Sequence, residues 1–209
     1  MKLASDIFLT VILFGLFGSL HSFLASAKIK NNIAEKAGPK IAFYRLFYNA
    51  IALLSFAAFY ELAPKPDLVI YDLRPPYDII IFVLQGASLL GFIWAFSKWD
   101  WKEFLGISQI GRYDEGIYKM EELDAKLEFD STGLYSISRH PVYLFCILFF
   151  GLKPFMDLFH LLFFICSVAY FYIGSYYEEK KLIERFGQEY LDYINRVPRI
   201  FPVKIFNKV

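Results

Sequence analysis

The sequence predicts an all-α integral membrane protein. It has about five transmembrane helices, and its C-terminal helical hairpin extends into a cytoplasmic tail helix. Three observations predict this. Of 209 residues, 57% are hydrophobic, with 24 Phe and 15 Tyr. The apolar residues fall in long blocks, and a bilayer core takes about 20 residues per spanning helix. Lysine and arginine gather in alternate connecting segments, the bias that marks the cytoplasmic side. The net charge is +1, so composition points to a bilayer partner and to no nucleic acid.

The chain reads as a single membrane domain, 1–209. Three N-terminal spans occupy 7–97, a cytoplasmic loop region 98–139, a transmembrane hairpin 140–177, and a tail covering a cofactor 178–209. The first span is Ile7–Ala27, a retained helix and not a signal peptide. Its Gly15, Gly18, Ser19, Ser22 and Ser26 are small residues that let helices approach closely, Gly15 and Ser19 at the four-residue spacing. His21 near its end is interfacial or functional. The short loop 28–40 has four lysines against one glutamate. Ile41–Leu62 is the second span, with Arg45 near its start able to snorkel to the same side. Glu61–Asp78 carries four acids, two bases and four prolines and reads as an outside loop. Ile79–Ser97 is the third span, closed by Lys98-Trp99-Asp100-Trp101, an interfacial aromatic cluster.

The polar stretch 98–139 contains Gln109, read as a loop-capping amide, and an acidic amphipathic piece, Asp114–Asp130. No metal-ligand spacing appears in it. Ser138-Arg139-His140-Pro141-Val142-Tyr143 then forms a junction between polar and membrane-grade sequence. Pro141 suits the first turn of a helix, where its missing N–H is no loss. The free N–H groups of that turn, with Arg139 and His140 beside them, favour an anion. The helix that follows is short for a bilayer, and Lys153–Asp157 lets it just cross. Leu158–Tyr177 is a full span. Beyond it, Leu182, Phe186, Tyr190 and Tyr193 recur on one helical face. Glu178 shares that stripe and Glu179 lies one position round, and a buried carboxylate needs a partner. The prolines of Val197-Pro198-Arg199-Ile200-Phe201-Pro202 turn the tail. The basic-rich segments 28–45, 98–139 and 178–209 fall on one side if the N-terminus is outside. Cys146 and Cys166 are ordinary thiols in apolar blocks. The sequence sets no oligomeric state.

The hairpin gathers a basic end (Arg139, His140, Arg199) and an acidic end (Glu178, Glu179), ringed by Tyr135, Tyr143, Tyr190 and Tyr193. A zwitterion with a flat aromatic appendage suits such a place, and S-adenosylmethionine is one. A structural ion cluster that staples the tail to the hairpin would carry the same residues.

Arg139-His140-Pro141-x-Tyr143, Glu178-Glu179-x-x-Leu182-x-x-x-Phe186-Gly187-x-x-Tyr190-x-x-Tyr193 and Val197-Pro198-Arg199-x-x-Pro202 resemble the isoprenylcysteine carboxyl methyltransferase superfamily of membrane enzymes. Upstream, His21-Ser22, Tyr44-Arg45, Phe104-Leu105-Gly106 with Gln109, and Phe159-His160-Leu161 look like one branch, that of NnrU and the methanethiol S-methyltransferases. The resemblance implies S-adenosylmethionine bound at the cytoplasmic ends of the last helices, held by Tyr135, Arg139, His140, Pro141, Tyr143, Glu178, Glu179 and Tyr190, with no metal. It implies a small thiol or a lipophilic thiol or carboxylate as acceptor. Arg199 would face the transferring methyl or the acceptor, Arg45 could steady an anionic acceptor, and His21 could take a thiol proton. The location it implies is an inner or cytoplasmic membrane. The chain departs from that branch in its longer insert, Asp114–Asp130, and in keeping an arginine at 199. Two other readings compete. One is an NnrU-like haem-binding isomerase, for which His21, His140 and His160 are the available histidines. The other is a non-catalytic accessory protein.

Overall fold

In a computed structural model of the chain, residues 2–119 and 129–203 are described. The acidic piece Asp114–Asp130 therefore lies largely outside the described residues. Helices make up most of the described residues, and the chain divides into two compact units.

The first unit comprises Met1–Pro64 and Trp99–Glu128. Helix α1 (Lys2–Ala25) ends where Ser26 turns extended and caps α2 (Ala27–Ala37), its hydroxyl accepting from the Ile29 N–H at 3.4 Å. A 3-10 turn, Gly38–Phe43, leads into α3 (Tyr44–Leu62). Thr10, Phe14 and Gly18 are the buried stripe of α1. Phe14 meets Phe59 of α3 edge-on, with ring centroids 5.4 Å apart. The expected small-residue seam is displaced by one position, since Gly15 and Ser19 are exposed. An aromatic ring fills the α1–α3 space, so close backbone approach is not what holds it. Two short helices, α5 (Trp101–Leu105) and α6 (Ile107–Asp114), follow in the same unit. Asp100 caps α5, accepting from the Lys102 and Glu103 N–H groups at 2.9 and 3.1 Å. Gly106 turns the corner between them at φ +92°, where a Cβ would stand 2.8 Å from the Leu46 nitrogen.

The second unit comprises Lys65–Lys98 and Phe129–Val209. Its helices are α4 (Tyr77–Phe96), α7 (Pro141–Gly151), α8 (Leu158–Phe186) and α9 (Gln188–Arg196). Between α7 and α8 the chain is extended as β2 (Phe155–Asp157), paired antiparallel with β1 (Val69–Asp72) of the proline-rich loop. That two-stranded clasp was not expected from the sequence, because proline and charge dominate its first strand's surroundings. Helix α4 packs on α7 so closely that a Cβ at Gly91 would overlap the Phe145 ring. Gln85 adds a bond to the Phe149 carbonyl at 3.0 Å.

Among the described residues, four stretches are long and apolar enough to cross a membrane: Lys2–Ala25, Ala27–Leu62, Tyr77–Phe96 and Leu158–Phe186. The protein is a multi-pass, all-α membrane protein. The fifth apolar helix, α7, has 11 residues and is about 16 Å long, half of a ~30 Å hydrocarbon core. Helix α8 has 29 residues, about 43 Å, and exceeds that core. Its charged last third, from Glu178 on, therefore lies beyond the membrane-spanning part. The single helical face expected through Tyr193 is broken at Gly187, whose φ of +57° ends α8. The stripe nevertheless reassembles, because Tyr190, Tyr193, Ile194 and Val197 pack with Leu182, Phe186 and Phe129.

Candidate functional site

The site lies in the second unit, where the start of α7, the charged end of α8 and the tail meet. Pro141 opens α7 with His140 as the cap residue. The tail runs beside this corner as a strap. The N–H groups of Arg139 and His140 donate to the Pro198 and Arg199 carbonyls at 2.9 and 3.0 Å. The Ser138 hydroxyl also donates to the Arg199 carbonyl, at 3.2 Å. The strap is a run of bends, and two prolines, at 198 and 202, fix its backbone and rule out a continuing helix.

Glu179 is the centre of the cluster. Arg139 grips it through Nε at 2.7 Å and Nη2 at 3.3 Å. His140 Nε2 lies 3.1 Å from its Oε1. Arg199 donates from Nε at 3.1 Å and lies within 3.0 Å through Nη2. The Arg139 Nη1 group is spent on the Ile194 and Val197 carbonyls at 3.0 and 2.6 Å. The side chains of Arg139 and Glu179 are 3% and 4% exposed. These two residues hold each other and the tail, which is the stapling arrangement the sequence also allowed.

Glu178 is placed differently. Its side chain is 38% exposed. Its Oε2 accepts from the Tyr143 hydroxyl at 2.9 Å and faces His140 Nδ1 at 3.4 Å. Among the described residues no donor is assigned to its Oε1. Arg199 is 34% exposed, and its Nη1 takes no acceptor among the described residues. The Tyr143 ring is stacked between His140 (5.2 Å, 3°) and Phe171 (5.0 Å, 15°).

Both ring nitrogens of His140 face carboxylates, an arrangement that favours the doubly protonated ring. Burial opposes that charge, but hydrogen bonds to Glu178 and Glu179 and their negative charge raise its pKa above the ordinary value. Burial likewise pushes Glu179 up, yet hydrogen bonds from His140 and Arg139 and their positive charge outweigh it and bring the carboxyl down to about 2. With three cations and two carboxylates, the cluster has a net charge of +1.

The remaining expected residues either surround this corner within the second unit or belong to the first unit. Tyr190 is 2% exposed and packs in the α8–α9 core. Tyr135 offers its backbone carbonyl to the Tyr193 hydroxyl. His21 and Arg45 belong to the first unit. There His21 Nε2 lies 2.7 Å from the Tyr48 hydroxyl, and Arg45 Nε donates to the Phe104 carbonyl at 3.2 Å. Asp157 caps the start of α8, its Oδ1 accepting from the His160 N–H at 2.8 Å and lying 2.8 Å from His160 Nδ1. It lies at the opposite end of α7 from His140. The sequence reading gave no role to Ser138 or Phe171. Phe171 stands seven residues before Glu178, two turns along one helix face, and that spacing was the available signal.

Comparisons with known proteins bear on this site. No family model matches the chain, and no solved structure matches it. Methanethiol S-methyltransferase 2 of Bradyrhizobium diazoefficiens is 30% identical over 205 residues, covering 96% of this chain and 75% of the relative. The chain belongs to the methanethiol S-methyltransferase family. Methanethiol S-methyltransferase 1 of the same organism is 29% identical over 95% of the chain and 68% of its own length. A family member of Mycobacterium tuberculosis is 26% identical over 92% of the chain and 76% of its own length. The matches extend over nearly the whole chain, so the family likeness includes the first unit as well as the charged corner.

Proposed function

We propose that this protein transfers a methyl group from S-adenosylmethionine to a small thiol, methanethiol in the first instance, at the cytoplasmic face of an inner membrane. In this reading the family sits in the NnrU branch of the isoprenylcysteine carboxyl methyltransferase superfamily. The observation that carries it is the open carboxylate oxygen of Glu178 and the open guanidinium edge of Arg199 on either side of the sealed Glu179. The pair is complementary to the ammonium and carboxylate of one amino-acid moiety.

The residues present fit that donor. Glu178 would take the ammonium and Arg199 the carboxylate, a charge-assisted contact at each end. The Tyr143 ring, locked between His140 and Phe171, gives a rigid aromatic wall. Arg139 and Glu179 do not touch the donor in this scheme. They fix the strap so that Arg199 is preorganised. Pro141, Tyr135 and Tyr190 set the backbone and packing around the corner. When bound, the sulfonium supplies a methyl group already activated toward a nucleophile.

The protein's remaining task is to orient the acceptor and handle its proton. A thiol reacts as its thiolate. The acceptor sulfur gains a bond to the methyl carbon as the sulfonium–methyl bond breaks, and the thiol proton leaves to a base. His21, the residue the sequence offers for that base, is held by the Tyr48 hydroxyl within the first unit, and we assign it no step at this corner. We give Arg45 no catalytic role, because it lines a pocket of the first unit and engages the Phe104 carbonyl.

The test uses purified protein with methyl-labelled S-adenosylmethionine and methanethiol, reading labelled dimethyl sulfide in the headspace. Donor affinity is measured alongside by calorimetry on wild type, Glu178→Gln and His140→Ala. The expected result is transfer by wild type, at least tenfold weaker donor binding in Glu178→Gln, the size of losing one charge-assisted contact, and weaker binding in His140→Ala, which loosens the Tyr143 wall and the placing of Glu178. Wild-type affinity in both variants would remove the cofactor assignment. Absence of transfer to any thiol would remove the acceptor assignment.

A further inference from the structure

The proposed reaction leaves a pocket of the first unit unused. It has a volume of about 70 Å³, and its polar wall is Lys30, Tyr44, Arg45, Tyr48, Gln109 and Tyr118. Leu24 and Ala25, at the end of α1, form part of its apolar wall.

Two of its groups are unfinished. Gln109 is 2% exposed, and its Oε1 has no hydrogen-bond partner among the described residues. Its Nε2 donates to the Glu103 carbonyl at 3.0 Å. That bond fixes the amide orientation, because a flip would set two oxygens against each other. A buried acceptor left unpaired is destabilising until something donates to it. Arg45 spends only its Nε, on the Phe104 carbonyl. Its two terminal nitrogens carry no protein acceptor among the described residues and present a fork suited to an oxyanion. Lys30, 7% exposed, adds a second cation to the wall.

The ligand must therefore bring an oxyanion and an N–H or O–H donor together. Position narrows the class. The pocket stands where an apolar span ends and the lysine-bearing α2 begins, which is headgroup depth. At roughly 10–15 Å³ per water-sized position, the space holds about five to seven such positions, enough for a phosphate group. We propose that this pocket binds a phosphate ester whose alkyl arm carries an amine or hydroxyl. That is the chemistry of ethanolamine and glycerol phospholipid headgroups, or of the same esters free in solution. The phosphate meets Arg45 and Lys30, and the arm donates to Gln109 Oε1. A choline headgroup has no N–H or O–H and leaves that oxygen unpaired. This site is independent of methyl transfer.

The experiment measures lipid retention by native mass spectrometry on the detergent-purified full chain, with short-chain phosphatidylethanolamine, phosphatidylglycerol and phosphatidylcholine as probes. Wild type is expected to bind the first two about tenfold more tightly than the third, the factor given by one hydrogen bond to a buried acceptor. Gln109→Met brings all three to the phosphatidylcholine level, and Arg45→Met weakens all three about tenfold. Gln109→Glu keeps the side chain's shape and weakens phosphatidylglycerol more than phosphatidylethanolamine, because an ammonium tolerates the new carboxylate. Competition by free phosphoethanolamine assigns the site to a soluble ester, and failure to compete assigns it to the lipid. Equal retention of all three lipids by wild type, or a preference that survives both Gln109 variants, overturns the proposal.

Discussion

Replacing Glu179 by Gln tests how the charged corner is held. The carboxylate is the shared acceptor of Arg139, His140 and Arg199, and with Arg139 it forms an ion pair whose side chains are 3% and 4% exposed. Removing one partner of a buried pair leaves the other charged and unpaired, at a cost of about 3–5 kcal/mol. For a chain of this size each kcal/mol lowers the melting temperature by roughly 2–4 °C. Glu179→Gln should therefore melt about 6–20 °C below wild type in detergent, followed by tryptophan fluorescence. Arg139→Met should fall further, since it also frees the Ile194 and Val197 carbonyls. The double variant Arg139→Met with Glu179→Leu should recover part of the Glu179→Gln loss, because it buries no lone charge. A Glu179→Gln melt within 2 °C of wild type would refute the reasoning, since the buried network would then be contributing nothing.

Other substitutions separate binding from stability. Tyr143→Phe keeps the stack between His140 and Phe171 and loses only the hydroxyl on Glu178. It should lower the melt by about 1–6 °C, from a net ~0.5–1.5 kcal/mol hydrogen bond, while calorimetry shows weaker donor binding. His140 has a raised pKa, so its contribution to stability is fully present below 6.5 and is lost as pH rises through the higher folded value. Melting temperature should therefore decline on the alkaline side, and His140→Gln should flatten that limb. Gly91→Leu places a side chain inside the Phe145 ring and should cost about 1–3 kcal/mol through overpacking of α4 on α7, read as a lower melt with unchanged donor affinity.

Much of this could be read in the chain. Apolar block length located four long apolar helices, because a bilayer demands about 20 residues of one character, while the expected crossing through Pro141–Gly151 is a helix of only 11 residues. Pro141 announced the start of α7, and the Glu178-Glu179 pair announced a charged corner, because buried carboxylates require partners. The division of labour within the pair was not legible. Adjacent helix positions point about 100° apart, and only the packing of α8 decides that Glu179 is sealed while Glu178 stays open. The Gly187 break was also hidden, since the apolar stripe keeps its period across a left-handed residue. The clasp of Val69–Asp72 with Phe155–Asp157 was missed because strand pairing between distant loops leaves no local periodicity. The Phe14 ring replaced the expected Gly15–Ser19 seam for a related reason, since a small residue permits close approach without compelling it.

The strap at Pro198 and Arg199 has a consequence for biosynthesis. Every hydrophobic segment leaves the ribosome before the residues that lock the charged corner. In a nascent chain that stops before residue 197, Arg139 still lacks the Val197 carbonyl and Glu179 the Arg199 guanidinium that complete their enclosure. Membrane insertion and maturation of the corner are thus separate events in time, and quality control could act in the interval between them.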